Sequence, residues 1–333
     1  MSLPASLAVV AATAALAAAL IVLLWPLLLR YALARPSARG LHETPTPQGG
    51  GGAIMIAIVA VASAVVALGG LPPGETVALA VALASAIGLA ILGAIDDIRP
   101  LPAAPRFLAQ FALVGLVVAI LPTERLFPGL LPGPAQIALT LLAGVWFVNL
   151  VNFMDGMDWM TVVEMAPLAL FLTICAFLGA VPAHVGLIAA ALLGGVLGFA
   201  PFNAPVARLF LGDVGSLSIG LIAGYGLATL ALSGHLAAAV IAPMYYLADS
   251  GWTLLARLAR GEKVWLAHRQ HFYQRARLSG NSIGHIIAHI FLCNVVLLVI
   301  GISAILMNQL IHNHVHLLLS VCVTLFTILR IIR

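Results

Sequence analysis

The chain has 333 residues, of which 63% are hydrophobic and only 8% charged, where a soluble domain carries roughly 25% charged residues. With a mean hydropathy of +1.15, this composition excludes a large soluble enzyme and describes a polytopic membrane protein. The net charge of +4 follows from loop arginines and requires no nucleic-acid partner.

Apolar windows bounded by Pro, Gly and charged residues predict spans near residues 4–29, 52–70, 76–95, 105–121, 135–151 and 161–180, then 184–200, 215–233, 236–256, 282–307 and 314–330. The expected fold is all-α, a bundle of about 11 transmembrane helices forming a single integral membrane domain over residues 1–333. The first run, Leu3 to Leu29, has no basic residue before it and is too long for a signal-peptide core, so it reads as a retained span. Cys175, Cys293 and Cys322 fall inside apolar runs and suggest neither a disulfide nor a zinc framework.

Strict alternation of these spans puts the loops near 30–51, 96–106, 152–160, 201–214 and 257–281 on one side, together with the C-terminus. Of the fifteen basic residues, all but Arg125 lie on that side, including Arg35, Arg39 and Arg333. The positive-inside rule makes that face cytoplasmic and sets the N-terminus outside.

Acidic residues collect on the same face. Asp96, Asp97, Asp155, Asp158 and Asp213 all sit at or just beyond predicted span ends. The partial negative charge of a helix C-terminus repels such carboxylates, and a hard divalent cation with a polyphosphate ligand relieves the conflict. Any one of them could equally be a loop residue solvated at the bilayer edge, but their surroundings argue for more. Asp96 and Asp97 are adjacent, Asn149, Asn152, Asp155, Gly156 and Asp158 form an Asn/Asp-rich stretch, and Asn203 precedes Phe210, Leu211, Gly212 and Asp213. The longest loop adds His268, Arg269, Gln270 and His271, an Arg fork flanked by imidazoles that suits phosphate oxygens. Acids for a metal and bases for phosphates on one membrane face point to phosphoryl transfer at the interface. A transporter would carry its ionisable groups nearer the mid-membrane.

Five segments, in order, resemble the motifs of the polyprenyl-phosphate N-acetylhexosamine-1-phosphate transferases, the glycosyltransferase family 4 enzymes that include MraY, WecA and WbpL. They are HETPTPQGGG from His42 to Gly51, the Asp96–Asp97 pair, NLVNFMDGMD from Asn149 to Asp158, FLGDVGSLSIG from Phe210 to Gly220, and HRQHFYQ from His268 to Gln274. The resemblance covers nearly the whole chain. It implies transfer of a sugar 1-phosphate from a UDP-sugar to polyprenyl (undecaprenyl) phosphate with release of UMP, Mg²⁺ dependence with Mn²⁺ as substitute, and an active site on the cytoplasmic side of a bacterial inner membrane. Family members can pair through their spans, so a homodimer is among the implied partners.

On this resemblance Asp213, with Asn152, holds the metal. Asp96 is preferred for deprotonating or orienting the lipid phosphate, with Asp97 in support. Asp158, Asp155, Phe210 and Asn203 line the nucleotide pocket, and Arg106, His268, Arg269 and His271 contact phosphates. The glycine-rich first motif forms the loop floor. The HRQH loop and the eleventh span favour the WecA and WbpL branches, which begin surface polysaccharides such as O-antigen. Trp159 stands where many members carry glycine, and Arg99, Pro100 and Leu101 replace the MraY lysine. The sugar stays open among N-acetylglucosamine, N-acetylgalactosamine and 6-deoxy amino sugars. Phospho-N-acetylmuramoyl-pentapeptide transfer is the alternative within the family, and transport of a phosphorylated or lipid-linked sugar is the alternative outside it.

Other polar residues within the spans are read as structural. His312, His314 and His316 are expected as loop and helix-end residues, His285 and His289 as interhelical hydrogen-bonding groups, and Glu164 as part of a structural contact. Asp249 is equally suited to touching the lipid phosphate or to capping a buried network.

Overall fold

The computed structural model describes residues 2–34, 45–263, 268–307 and 310–332. Residues 42–44 of the first motif, Arg35, Arg39, Arg333 and the side chain of His312 lie outside the described residues. In chain order the elements begin with α1 (Leu3–Tyr31), the short strands β1 (Leu33–Ala34) and β2 (Thr46–Pro47), α2 (Gly50–Ala67), α3 (Pro73–Ile98), α4 (Ala103–Val118) and α5 (Gly133–Met154). They continue with α6 (Met160–Phe177), α7 (Ala183–Asn203), α8 (Asp213–Leu230), α9 (Leu236–Ile241), α10 (Met244–Ala259), α11 (Phe272–Leu278), α12 (Ile283–Met307) and α13 (Leu310–Ile332).

Proline punctuation sets many helix starts. Pro72, Pro102, Pro132 and Pro182 occupy the N-cap positions of α3, α4, α5 and α7, where the missing N–H costs nothing because no intrahelical partner awaits it. Among the described residues nine helices are long and apolar enough to cross a membrane, counting α8 to α9 as one run. The chain is thus an all-α multi-pass membrane protein. Helix α4, with 16 residues, is apolar but shorter than those nine.

The window 236–256, predicted as one span, is two helices. Pro243 lies between α9 and α10, and a proline there removes a backbone donor and clashes with the preceding turn. A single π turn over Ala231–His235, with Gly234 at φ 92°, bends the chain again between α8 and α9. Helix α10 is two-faced, burying Asp249, Thr253 and Arg257 while exposing Trp252, Leu255 and Leu258.

Helices α7 and α8 form the interior. Helix α7 packs on α1, α2 and α6, and α8 packs on α3, α5 and α2. Two glycines one turn apart, Gly194 and Gly198, let α1 approach so closely that a Cβ at either would collide with the carbonyl of Val10 or Ala14. This is the small-residue packing expected between membrane helices, where dispersion replaces the hydrophobic effect as the driving force. Several polar side chains within the bundle are paired. At the end remote from the aspartates, His184 donates its backbone N–H to Glu75 Oε2 at 2.8 Å, while its ring joins Glu75 Oε2 (3.1 Å) to the Tyr225 hydroxyl (2.7 Å). Asn294 on α12 donates to Glu164 Oε2 on α6 at 2.7 Å, and Gln110 on α4 accepts from Asn149 on α5 at 2.6 Å. Glu164 therefore takes the structural place expected of it.

His316 and His289 of the last two helices make structural contacts as well. His316 meets Ser303 at 2.9 Å, tying α13 to α12. His289 Nδ1 donates to the carbonyl of His285 at 2.8 Å, so this bond lies within α12 rather than between helices.

Gly198→Ala should lower stability by about 1–3 kcal/mol through overpacking, read as a reduced thermal midpoint of the detergent-purified protein. Gly74→Ala, where a Cβ meets open space, should leave the midpoint unchanged.

Candidate active site

The site is assembled where α8 begins. Residues Phe210 to Gly212 run into α8, and three elements fix that entry. The first motif supplies a floor: Phe210 N–H donates to the Pro47 carbonyl (2.8 Å), while Gly50 and Gly51 N–H groups donate to the carbonyls of Phe210 (3.0 Å) and Leu211 (2.9 Å). Gly49, at φ 102°, turns the chain from this floor into α2. Helix α2 then crosses α8 at Gly51 and Gly215, where a Cβ on Gly51 would overlap Gly215.

Helix α3 closes the other side. A Cβ on Gly93 would collide with the Asp213 carbonyl, so the absence of a side chain brings the end of α3 onto the start of α8. One turn later the Asp97 carboxylate accepts the N–H groups of Asp213 (3.0 Å) and Val214 (3.1 Å), two of the donors that a helix N-terminus leaves without an intrahelical partner. Gln48 Nε2 donates to the Asp97 carbonyl at 3.1 Å, joining the floor to the same corner.

This corner gathers the candidate acids. The Asp96 and Asp213 carboxyl groups lie within hydrogen-bonding reach of each other. Arg106 Nη1 donates to Asp96 Oδ2 at 2.6 Å, and Leu101 N–H donates to Asp96 Oδ1 at 2.6 Å. Asn152, from α5, donates Nδ2 to Asp213 Oδ1 (2.8 Å) and to Ser216 Oγ (2.9 Å). Residues separated by up to 117 positions thus meet within one hydrogen-bonded cluster. The buried Arg106 Nε has no hydrogen-bond partner among the described residues.

Asp155, Asp158 and Asn203 belong to an adjoining pair of loops. Asp155, at the C-cap of α5, accepts from Thr161 Oγ1 at 2.5 Å. Asp158 Oδ2 accepts the Ala207 N–H at 2.9 Å. Asn203 accepts the Trp159 N–H (2.8 Å) and donates to the Leu209 carbonyl (2.9 Å), leading directly to half-buried Phe210. Trp159 itself adopts φ 61°, the left-handed conformation that glycine takes most easily, and is held there by its indole N–H on the Ala200 carbonyl at 2.7 Å. The loop therefore makes the turn without a glycine.

The HRQH segment is placed against the same loop. A Cβ on Gly156 would collide with the Tyr273 hydroxyl. His271 is buried, with its ring 4.8 Å from that of half-buried His268, while Arg269 is exposed. Before this segment, Glu262 receives Arg257 Nε and Arg260 Nε, each at 2.8 Å, and these guanidinium groups hold its carboxyl down to about 2. Asp249, which suited either of two roles on sequence, serves the buried network: it is fully buried and accepts from His271 Nδ1 at 3.0 Å.

Among the described residues no group of three or more His, Cys, Asp or Glu side chains is arranged to hold a metal by itself. Asp213, beside Asn152, nevertheless fits Mg²⁺, which commonly binds through one or two carboxylates and completes its shell with substrate phosphates and water.

An apolar groove leads away from this cluster. Its volume is about 330 Å³, and it runs among α4, α5, α8, α9 and α10, lined by residues such as Val117, Leu139, Phe147, Tyr225, Val240 and Leu247. Val148 and Gly220 also line it. They stand four residues before Asn152 and seven after Asp213, roughly 6 and 10 Å along their helices.

Clustered carboxylates, an arginine beside them and an apolar groove thus occur within one membrane bundle. Residues 79–234 match the model of glycosyl transferase family 4. It is 34% identical over 213 residues to the decaprenyl-phosphate N-acetylglucosaminephosphotransferase of Mycobacterium tuberculosis, covering 57% of this chain and 52% of that protein. To the probable undecaprenyl-phosphate N-acetylglucosaminyl 1-phosphate transferase of Bacillus subtilis it is 27% identical, over 75% and 71% of the two chains. To a phospho-N-acetylmuramoyl-pentapeptide-transferase of Wolbachia pipientis it is 28% identical, over 58% and 67%. The chain thus spans about half the length of the mycobacterial relative.

Asp97→Ala should cost about 0.5–2 kcal/mol by stripping two amide donors at the start of α8 of their acceptor. Asp97→Asn should cost less, since its amide oxygen still accepts. Thermal midpoints of the two purified variants check the order.

Proposed function

We propose that the protein transfers a sugar 1-phosphate, of the N-acetylhexosamine class, from a UDP-sugar to polyprenyl phosphate, releasing UMP and beginning lipid-linked surface polysaccharide synthesis. The observation that carries this reading is the meeting of two environments: the Asp96, Asp213, Asn152 and Arg106 cluster lies within two helical turns of residues lining an apolar groove. A water-soluble phosphodonor and a lipid phosphate need that junction. The named relatives make N-acetylglucosamine the first sugar to test. The distribution of arginines supports a cytoplasmic site in a bacterial inner membrane.

In this reading a phosphate oxygen of the lipid attacks the β-phosphorus of the donor. The bond from that phosphorus to the oxygen bridging the two phosphates breaks, and UMP departs with that oxygen. Asp213, with Asn152, would hold Mg²⁺, which when bound would neutralise diphosphate charge. Asn152 orients the Asp213 carboxylate through Nδ2. Arg106, aligned by Asp96, contributes its guanidinium to phosphate binding, and Asp96 receives the lipid phosphate proton. Asp97 supports the site by fixing the start of α8. Asp155, Asp158, Asn203 and Phe210 build the nucleotide pocket, and His268, Arg269 and His271 hold the diphosphate. Catalysis rests on positioning and charge neutralisation, so no covalent enzyme intermediate is invoked.

Purified protein given undecaprenyl phosphate, Mg²⁺ and UDP-N-acetylglucosamine should release UMP only when lipid and metal are both present. Asp213→Asn should reduce that release by on the order of 100-fold, and a chelator should abolish it. A folded protein that releases no UMP with any UDP-sugar contradicts the proposal. Val240→Trp, which fills the apolar groove, should raise KM for undecaprenyl phosphate while sparing KM for the nucleotide sugar; equal effects on both would show that the groove does not hold the lipid.

A further inference from the structure

Asp249 is a carboxylate outside the acid cluster that is surrounded by hydrogen-bond donors. It is fully buried on α10, and a buried charge persists only where donors satisfy it. Oδ1 accepts from His271 Nδ1 (3.0 Å), Phe272 N–H (3.0 Å) and Thr253 Oγ1 (3.4 Å). Oδ2 accepts from the Tyr245 hydroxyl (3.3 Å) and Tyr273 N–H (3.4 Å). Two of these donors are backbone groups at the start of α11, and a third is an imidazole.

The contacts extend outward from that point. The His271 ring lies between two others, stacked on Tyr273 (5.9 Å between centroids, 17° between planes) and 4.8 Å from His268. Tyr273 in turn abuts Gly156 in the Asp155–Asp158 loop. One carboxylate on α10 thus governs how the His268–Arg269 segment and the Asp155–Asp158 loop face each other. Because an ionised carboxylate only accepts, His271 must carry its proton on Nδ1, which fixes the tautomer of the ring.

We propose that Asp249 is a positioning residue for donor diphosphate binding: through His271 Nδ1 and the first turn of α11 it sets His268, Arg269 and His271 against the nucleotide loop. The proposal rests on the transferase reading above for the identity of the ligand. Asp249 itself touches no substrate. Its contribution is to donor affinity, and the lipid phosphate, bound at the Asp96–Arg106 corner, does not depend on it.

The test uses the full chain in detergent. Asp249→Asn leaves a single acceptor oxygen: with it at the Oδ2 position, accepting from Tyr245 and Tyr273, an N–H₂ group meets His271 and drives the imidazole proton from Nδ1 to Nε2, while Phe272 N–H loses its acceptor. The dissociation constant for UDP-N-acetylglucosamine, measured without turnover, should rise more than about tenfold, the usual cost of losing an orienting partner, while KM for undecaprenyl phosphate holds. The nitrogen NMR signals of His271, assigned by their loss in His271→Gln, should switch tautomer. A folded Asp249→Asn variant with unchanged donor affinity overturns the proposal, whether or not the tautomer moves. Should that variant fail to fold, the wild type decides: the His271 signals should respond to UDP but not to uridine, and no response to UDP overturns it. Wild-type protein that binds the donor without releasing UMP contradicts the transferase reading alone. Wild-type protein that binds no UDP-sugar contradicts both.

Discussion

The acceptance of two α8 amides by the Asp97 carboxylate is the contact on which the site depends. Successive residues of a helix point about 100° apart, so turning Asp97 toward the start of α8 leaves Asp96 facing the neighbouring corner, where Arg106 and Asp213 lie. The close approach at Gly93, and at Gly51 against Gly215, makes this geometry possible, because a methyl group at either glycine would separate the helices. Asp213 is therefore fixed by its own backbone before its side chain does anything. Asn152 then sets the orientation of that side chain.

The lipid setting explains why the clustered carboxylates are confined to one end. A charge in the hydrocarbon region is costly and persists only when paired, and polar groups within the bundle show that economy in the Glu75–His184–Tyr225, Gln110–Asn149 and Glu164–Asn294 contacts. Carboxylates placed at helix ends avoid the cost and remain in reach of a water-soluble ligand. The breaks around Gly234 and Pro243 interrupt what would otherwise be a long continuous helix, and the segments on either side contribute to the apolar groove. The polar cluster and the apolar groove thus lie within one bundle.

Much of this was legible in the sequence. Hydropathy gave the membrane class, proline punctuation gave most helix starts, and the ordered motifs contained Asp96, Asp97 and Asp213, which the fold brings together. Trp159 in a glycine position was also a visible signal, and the structure shows the left-handed turn behind it. The break at Pro243 was hidden because α9 and α10 are both apolar enough to read as one window, although the proline itself was the available clue. The intrahelical bond of His289 and the choice between roles for Asp249 could not be read, since neither a hydrogen-bond partner nor burial on one face of α10 follows from spacing alone. Likewise, nothing in an Asp–Asp pair says which carboxylate will turn toward a distant helix terminus. That depends on the glycine crossings, which are tertiary.

The central claim is that sugar and β-phosphate move together onto the lipid. It is tested most directly with a UDP-N-acetylglucosamine carrying radiophosphorus in the β position and tritium in the sugar, incubated with the purified protein, Mg²⁺ and undecaprenyl phosphate. The account predicts both labels in the lipid product in the donor's own ratio, matched mole for mole by UMP. Tritium reaching the lipid without radiophosphorus, with UDP as the released nucleotide, would contradict it.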